Sequence, residues 1–221
     1  MGEIVEFPSN GQTAQGYLAL PDGTGPGVVV IQEWWGLVPH IKNVCDRFAG
    51  EGFVALAPDL YHGQATTEPD EANKLLMAME MDRAARDMSG AVEHLRSRQE
   101  VQPKKIGVTG FCAGGGLVLK LAATAPVDAA APFYPFFVPE DADPDAIRAP
   151  VLAHLAERDP STEKSRPFLE DLRSRGKDVE VQVYPGADHA FFNDDRPEIH
   201  DEAASAQAWQ RTLEFFRRHL S

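Results

Sequence analysis

Cys112 stands in GFCAGG, residues 110–115, where a thiol is flanked by glycines in the pattern G-x-C-x-G. That arrangement suits nucleophilic attack on a carbonyl. Gly110 and Gly114 let a strand and a helix approach closely, while the residue between them takes a strained backbone and projects its side chain above a sheet. The next amide, Ala113 N–H, then points from a helix N-terminus towards any oxyanion formed. The positive end of that helix also favours a thiolate, which is intrinsically more nucleophilic than an alcohol. A phosphate loop fits less well, because no Lys-Ser/Thr closes the motif and no G-x-G-x-x-G follows the first strand. A buried cysteine at a glycine-rich helix start is the remaining structural alternative.

Such a nucleophile needs a base, and the base needs a group that orients it. In a strand–elbow–helix architecture these follow in the order acid, then histidine. Asp159 lies in AERDPS, just past the apolar run PVLAHLA, where a strand end opens into a crevice. His189 lies in YPGADHAFFN, just past VEVQVY. Among the other histidines, His154 falls inside a strand pattern, and His94, His200 and His219 lie in helical, charged surroundings. Asp159 also suits the N-cap of the helix that follows, and Asp188 and Asp194 are alternative acids.

These residues require a scaffold, and the chain supplies one by alternating β-rich and helical patterns, as in parallel strands joined by helices. Strands are expected at 27–32, 53–58, 105–110, 127–134, 150–156 and 179–185. VVVI and FVALA are almost continuously apolar, as when both faces of a sheet are covered. Helices are expected near 40–50, 70–98, 113–125, 162–175 and 200–219. The Asp/Pro-rich piece 138–150 reads as a connecting loop because a core strand follows at once, so one domain, residues 1–221, is expected.

With 43% hydrophobic and 25% charged residues, the 221-residue composition is that of a globular protein with a substantial core. A formal charge of −13 disfavours nucleic acid and anionic membranes as partners. No apolar run is long enough for a membrane span, and MGEIVEFPSNG lacks the form of a signal peptide, which together predict a cytoplasmic location. Two cysteines imply no disulfide framework; Cys45, on a helical pattern with Val44 and Phe48, reads as a core thiol.

Across nearly its whole length, from VVVIQEWWGL through FVALAPDLYHG and GFCAGGG to RDPS and PGADHAFF, the chain resembles the dienelactone hydrolase (carboxymethylenebutenolidase) family. The resemblance implies an α/β-hydrolase fold: a three-layer sandwich with a mostly parallel central sheet and no large lid. The family's cysteine, aspartate and histidine fall on Cys112, Asp159 and His189. Its early-strand glutamate falls on Glu33, implied to restrain the resting thiol, and its second oxyanion amide on Trp34 N–H. A carboxylate directly after VVVIQ and beside two tryptophans is costly to bury unpartnered, although Glu33 could equally bond a loop backbone or face water. The family hydrolyses cyclic enol esters without metal or cofactor. The implied partner is therefore a small ester or lactone; the oligomeric state is not legible.

Trp35, Tyr61, Tyr134, Phe191, Phe192 and Asn193 are candidates to line the substrate pocket, the aromatic ones being equally suited to core packing. Members specialised for dienelactone carry an arginine where Asn193 stands and a second around TTEPDEANK, residues 66–74, where none is present. Asn73 and Leu76 stand where those members place aromatic residues. The expectation is a hydrolase acting through a cysteine acyl-enzyme on neutral substrates. A non-catalytic or redox-responsive ligand-binding protein on the same scaffold is the alternative.

Overall fold

The computed structural model describes residues 2–9 and 11–221, grouped into two compact units, Met1–Gly107 and Val108–Ser221.

In the first unit, β1 (Glu3–Ser9), β2 (Gln12–Ala19), β3 (Gly25–Ile31) and β4 (Val54–Pro58) lie in the order β1-β2-β4-β3. β3 and β4 run parallel and are buried on both faces, which explains their unbroken apolar sequences. β1 and β2 form an antiparallel hairpin with Phe7 opposite Ala14, and β2 runs antiparallel to β4. The sequence reading did not anticipate this hairpin. Its signal is weak because β1 is an edge strand whose buried side chains are confined to Phe7 and Ser9. α1 (Pro39–Gly50) starts with proline, whose fixed φ and missing N–H suit a first turn. Ile41, Val44, Cys45 and Phe48 recur at helical spacing on its buried face.

The expected helix over 70–98 is two helices, α2 (Pro69–Ala78) and α3 (Met81–Ser97). Met79 and Glu80 take extended backbones between them, and no glycine or proline marks the break in sequence. α3 packs on β1, β3 and β4 through Ala84, Met88, Ala91, Val92 and Leu95. Gly90 permits this approach, since a Cβ there would meet Pro8 O at 2.6 Å.

The boundary between the units falls within β5 (Val101–Phe111). In the second unit the order is β5-β6-β7-β8, with β6 (Ala129–Phe133), β7 (Val151–Ala156) and β8 (Val179–Tyr184) parallel. α4 (Ala113–Thr124) covers β6, α5 (Ser161–Ser174) covers β8, and α6 (Glu202–Leu220) lies on β6 and β7. Residues 138–150 form turns without a strand or helix, as expected. At the centre of this unit, fully buried His154 meets Tyr184 Oη at 2.8 Å through Nδ1 and Thr212 Oγ1 at 2.9 Å through Nε2. Burial, with the Arg211 charge second, lowers its pKa to about 3. His154 is therefore a neutral core residue tying β7, β8 and α6 together.

Candidate active site

Cys112 occupies the one-residue turn between β5 and α4, with φ 57° and ψ −117°. A non-glycine residue there is strained and persists only when its surroundings hold it. Backbone bonds do so. Cys112 N donates to Phe133 O (3.2 Å), and Cys112 O accepts from Gly115 N (3.0 Å) and Phe136 N (3.1 Å). The glycines after the cysteine are sterically required: a Cβ on Gly115 would lie 2.4 Å from Phe133 O, and one on Gly116 2.2 Å from Phe137 O. The helix thus starts hard against the segment 133–137. Ala113, first in α4, has its N–H in the turn that lacks intrahelical acceptors. The Cys112 thiol is free and 7% exposed.

Asp159 follows β7 and is buried. Its Oδ2 accepts from His189 Nδ1 at 2.6 Å and from Ser161 Oγ at 2.6 Å, while Oδ1 accepts from Ser161 N at 2.8 Å. Burial alone would raise its pKa, but the bonds from His189 and Ser161 outweigh that and hold the carboxyl below its ordinary value. The N-cap alternative is also partly realised: α5 is capped at Pro160 without a side-chain bond, and Asp159 closes a short turn onto Ser161 just ahead of it. One carboxylate therefore terminates the loop and orients the histidine.

His189 sits past β8, on a loop where Ala190 takes φ 64°. Burial works against its positive form, but hydrogen bonding to Asp159 and Cys112, together with both their charges, raises its pKa to about 10. The imidazole is thus held as imidazolium at neutral pH by two opposing partners. Its ring meets Tyr134 edge-on at 5.2 Å and Phe136 at 5.9 Å.

The structure places the remaining candidates unevenly. Tyr134, at φ 33°, is fully buried under His189, its N donating to His154 O at 2.7 Å. Phe191 and Phe192 are also fully buried, Phe191 against Tyr134 and Tyr184 and Phe192 against Phe111, Phe133 and Trp209. Asn193 is 2% exposed, and its Oδ1 accepts from Asp195 N at 3.1 Å, a turn that holds the loop after the histidine.

In the first unit, Glu33 is 1% exposed on the loop after β3, Trp34 is half-buried, and Trp35 packs edge-on to it at 4.9 Å. That loop is fastened by Gln32 Oε1, which accepts from Leu60 N at 3.2 Å, and by Thr66 N donating to Trp35 O at 3.0 Å. Tyr61 is buried and lines a cavity of this unit. Cys45 is fully buried, and burial pushes its thiol pKa up, as suits an inert core residue.

Two neighbours of the histidine escaped the sequence reading. Ser161 is buried against both Asp159 and His189, the latter at 3.5 Å, yet in DPS it looks like an ordinary helix-start serine. Phe136 is 40% exposed beside His189, with Lys164 Nζ 5.4 Å from its ring centre; the run FYPFF offers no signal that separates it from its buried neighbours. Among the described residues no group of three or more His, Cys, Asp or Glu side chains is placed to hold a metal, and no helix is long and apolar enough to cross a membrane.

A cysteine at a strand–helix elbow, followed by aspartate and histidine past successive strands, is the arrangement of the α/β-hydrolase class. Within it, the model of the dienelactone hydrolase family matches residues 14–220, and the chain belongs to that family. It is 41% identical to "Protein usf" of Aquifex pyrophilus and 39% identical to the "Putative carboxymethylenebutenolidase" of Aquifex aeolicus, each match covering 100% of both chains. Among solved structures, the dienelactone hydrolase-like promiscuous phosphotriesterase P91 from metagenomic libraries is similar at TM-score 0.88 and 26% identity, covering 100% of this chain and 99% of that one. The chain is accordingly an ester or lactone hydrolase of the dienelactone hydrolase type.

Proposed function

We propose that the protein hydrolyses small, uncharged lactones or aryl esters through an acyl-enzyme on Cys112, with residues 1–221 acting as one catalytic domain. The observation carrying this reading is His189, bonded to Asp159 at 2.6 Å and raised to a pKa of about 10 partly by Cys112. That contact places the imidazole to pass protons at the Cys112 sulfur. The Cys112 thiolate attacks the carbonyl carbon, and the oxyanion is met by the N–H groups of Ala113 and, by the family resemblance, of Trp34. As the C–O bond breaks, the leaving alkoxide takes a proton from His189. Water then attacks the thioester, giving one proton to His189, and the acid leaves with Cys112 again a thiolate. Asp159 keeps the imidazole in the orientation both transfers need. Glu33 acts, in this reading, to restrain the thiol between turnovers. No metal or organic cofactor enters any step.

The preference for uncharged substrates rests on Asn193, which is engaged with its own loop and carries no charge. A bidentate arginine–carboxylate contact contributes roughly 1.5–3 kcal/mol, about 10- to 150-fold in binding, and no arginine stands at that position. The test is incubation with a slowly deacylating activated ester, followed by intact mass and peptide localisation. One acyl group on Cys112 is expected. Turnover without an adduct, or an adduct only on Cys45, would reject the mechanism.

A further inference from the structure

A cavity of about 180 Å³ opens in the first unit between the loop that follows β4 and the corner joining α2 to α3. Arg83 lines it from the first turn of α3. The Arg83 Nε is buried without a hydrogen-bond partner, and among the described residues no carboxylate pairs with its guanidinium. In a chain of net charge −13 this is unusual. A desolvated, unsatisfied donor costs about 1–3 kcal/mol, which an acceptor on a bound ligand would recover.

The walls specify the rest of that ligand. Leu60, Leu75 and Met79 supply apolar surface, Gln64 offers an amide, and Glu80 stands exposed at the rim. Leu75 and Ala78 share one face of α2, at i and i+3, and Met79 follows directly after its last turn. Asn73 and Leu76, where dienelactone-specialised relatives carry aromatic side chains, fall on the opposite side of that helix. The cavity is therefore not the subsite those positions build.

We propose that this cavity binds a small organic monocarboxylate. Arg83 receives the carboxylate side-on through Nε–H and one Nη–H, the geometry that planar guanidinium groups favour. The carbon skeleton lies on Leu60, Leu75 and Met79. A phosphate dianion fits less well, because Glu80 stands at the rim and the other basic side chain of the lining, His62, is paired with Asp87 at 3.4 Å. The volume is below the roughly 300–1,000 Å³ of sites for drug-sized ligands, which sets the occupant near the size of benzoate. This inference stands apart from the mechanism at Cys112.

The experiment titrates 4-fluorobenzoate, followed by fluorine NMR, into the full chain after Cys112 has been alkylated with iodoacetamide. Saturable binding is expected to survive alkylation, to weaken at least tenfold in Arg83→Gln, and to weaken likewise in Ala78→Phe, which fills the cavity from an exposed helix position while leaving Arg83 in place. Ester hydrolysis by the unalkylated variants is expected to stay at the wild-type level. An equal concentration of inorganic phosphate is expected not to displace the probe. The proposal is overturned if alkylation abolishes binding, which would put the carboxylate at the catalytic thiol. It is equally overturned if both variants bind like wild type, or if phosphate competes on equal terms.

Discussion

At the scale of single residues, the geometry of the candidate site depends on how one carboxylate divides its lone pairs. Asp159 Oδ2 accepts at once from His189 Nδ1 and Ser161 Oγ, both at 2.6 Å, so Ser161 fixes the oxygen that fixes the imidazole. Ser161 is a positioning residue, and without its hydroxyl Asp159 keeps only the backbone N–H at that position and His189 to hold it. Hydrogen bonds to charged groups contribute about 1.5–3 kcal/mol. Losing even half of that from the transition state lowers kcat roughly 3- to 10-fold. Ser161→Ala is expected to show that fall with little change in KM and a lowered His189 pKa, and Ser161→Thr is expected to recover most of it. A rise in KM with a fall in thermal stability, and the pKa of His189 unmoved, would make Ser161 merely structural. The same imidazole offers a second check. Because Cys112 is one of the two groups that raise its pKa to about 10, Cys112→Ala is expected to bring the His189 titration, followed by NMR of the ring protons, down towards neutrality. A titration still near 10 in that variant would assign the whole shift to Asp159.

At the scale of elements, the elbow is held by glycines whose role is steric. Gly115 and Gly116 stand within van der Waals exclusion of the carbonyls of Phe133 and Phe137, and backbone carbonyls cannot move aside as a flexible side chain can. Gly115→Ala is expected to destabilise the fold by about 2–4 kcal/mol, as overpacking and displaced backbone do. It is also expected to depress activity further than the stability loss explains, because Cys112 O bonds the same segment through Phe136 N. Urea unfolding and ester turnover on the same sample separate the two effects; wild-type activity in a destabilised variant would detach the elbow from its support. These details also mark where the sequence stops being legible. The order Cys112, Asp159, His189 could be read because strand ends are visible as apolar runs, and the acid and histidine follow them directly. Gly110 and Gly114 were the visible glycines of the motif, whereas the clash that demands Gly115 and Gly116 involves carbonyls from a distant segment. The β1–β2 hairpin was missed because an edge strand buries too little to impose an alternating pattern, and the α2–α3 break because extended Met79 and Glu80 carry no turn chemistry. Ser161 was missed for a related reason: its partner His189 is 28 residues away in sequence.

At the scale of the whole molecule, histidines of opposite behaviour set how folding stability depends on pH. His154 is buried neutral with its pKa lowered to about 3, so below its ordinary 6.5 the unfolded chain takes up a proton that the native chain refuses. Its contribution is present above pH 6.5 and is lost as pH falls from there towards 3. His189 is the reverse. Raised to about 10, it keeps a proton that the unfolded chain releases above 6.5, so its contribution is present below 6.5 and is lost as pH rises through 10. Asp159, held below its ordinary value, loses its contribution only as pH falls beneath about 4, and buried Cys45 enters only above about 9. Half-buried His94, whose pKa is lowered by burial and by the Arg98 charge, adds to the acid limb, so between pH 4.5 and 8.5 these histidines dominate and stability is expected to peak near pH 6.5. Each proton contributes a slope of about 1.4 kcal/mol per pH unit at most; the part-exposed His189 side of the profile is shallower because solvent screens its partners. Urea unfolding at pH 5, 6.5 and 8 tests this directly. His154→Gln, which keeps a donor and an acceptor for Tyr184 and Thr212 but cannot titrate, is expected to flatten the limb between pH 5 and 6.5 while leaving the alkaline limb intact. His189→Gln is expected to flatten the limb between 6.5 and 8 alone. An acid limb of the same steepness in His154→Gln would mean that His94 or carboxylates, and not the buried His154, set the acid sensitivity of the fold.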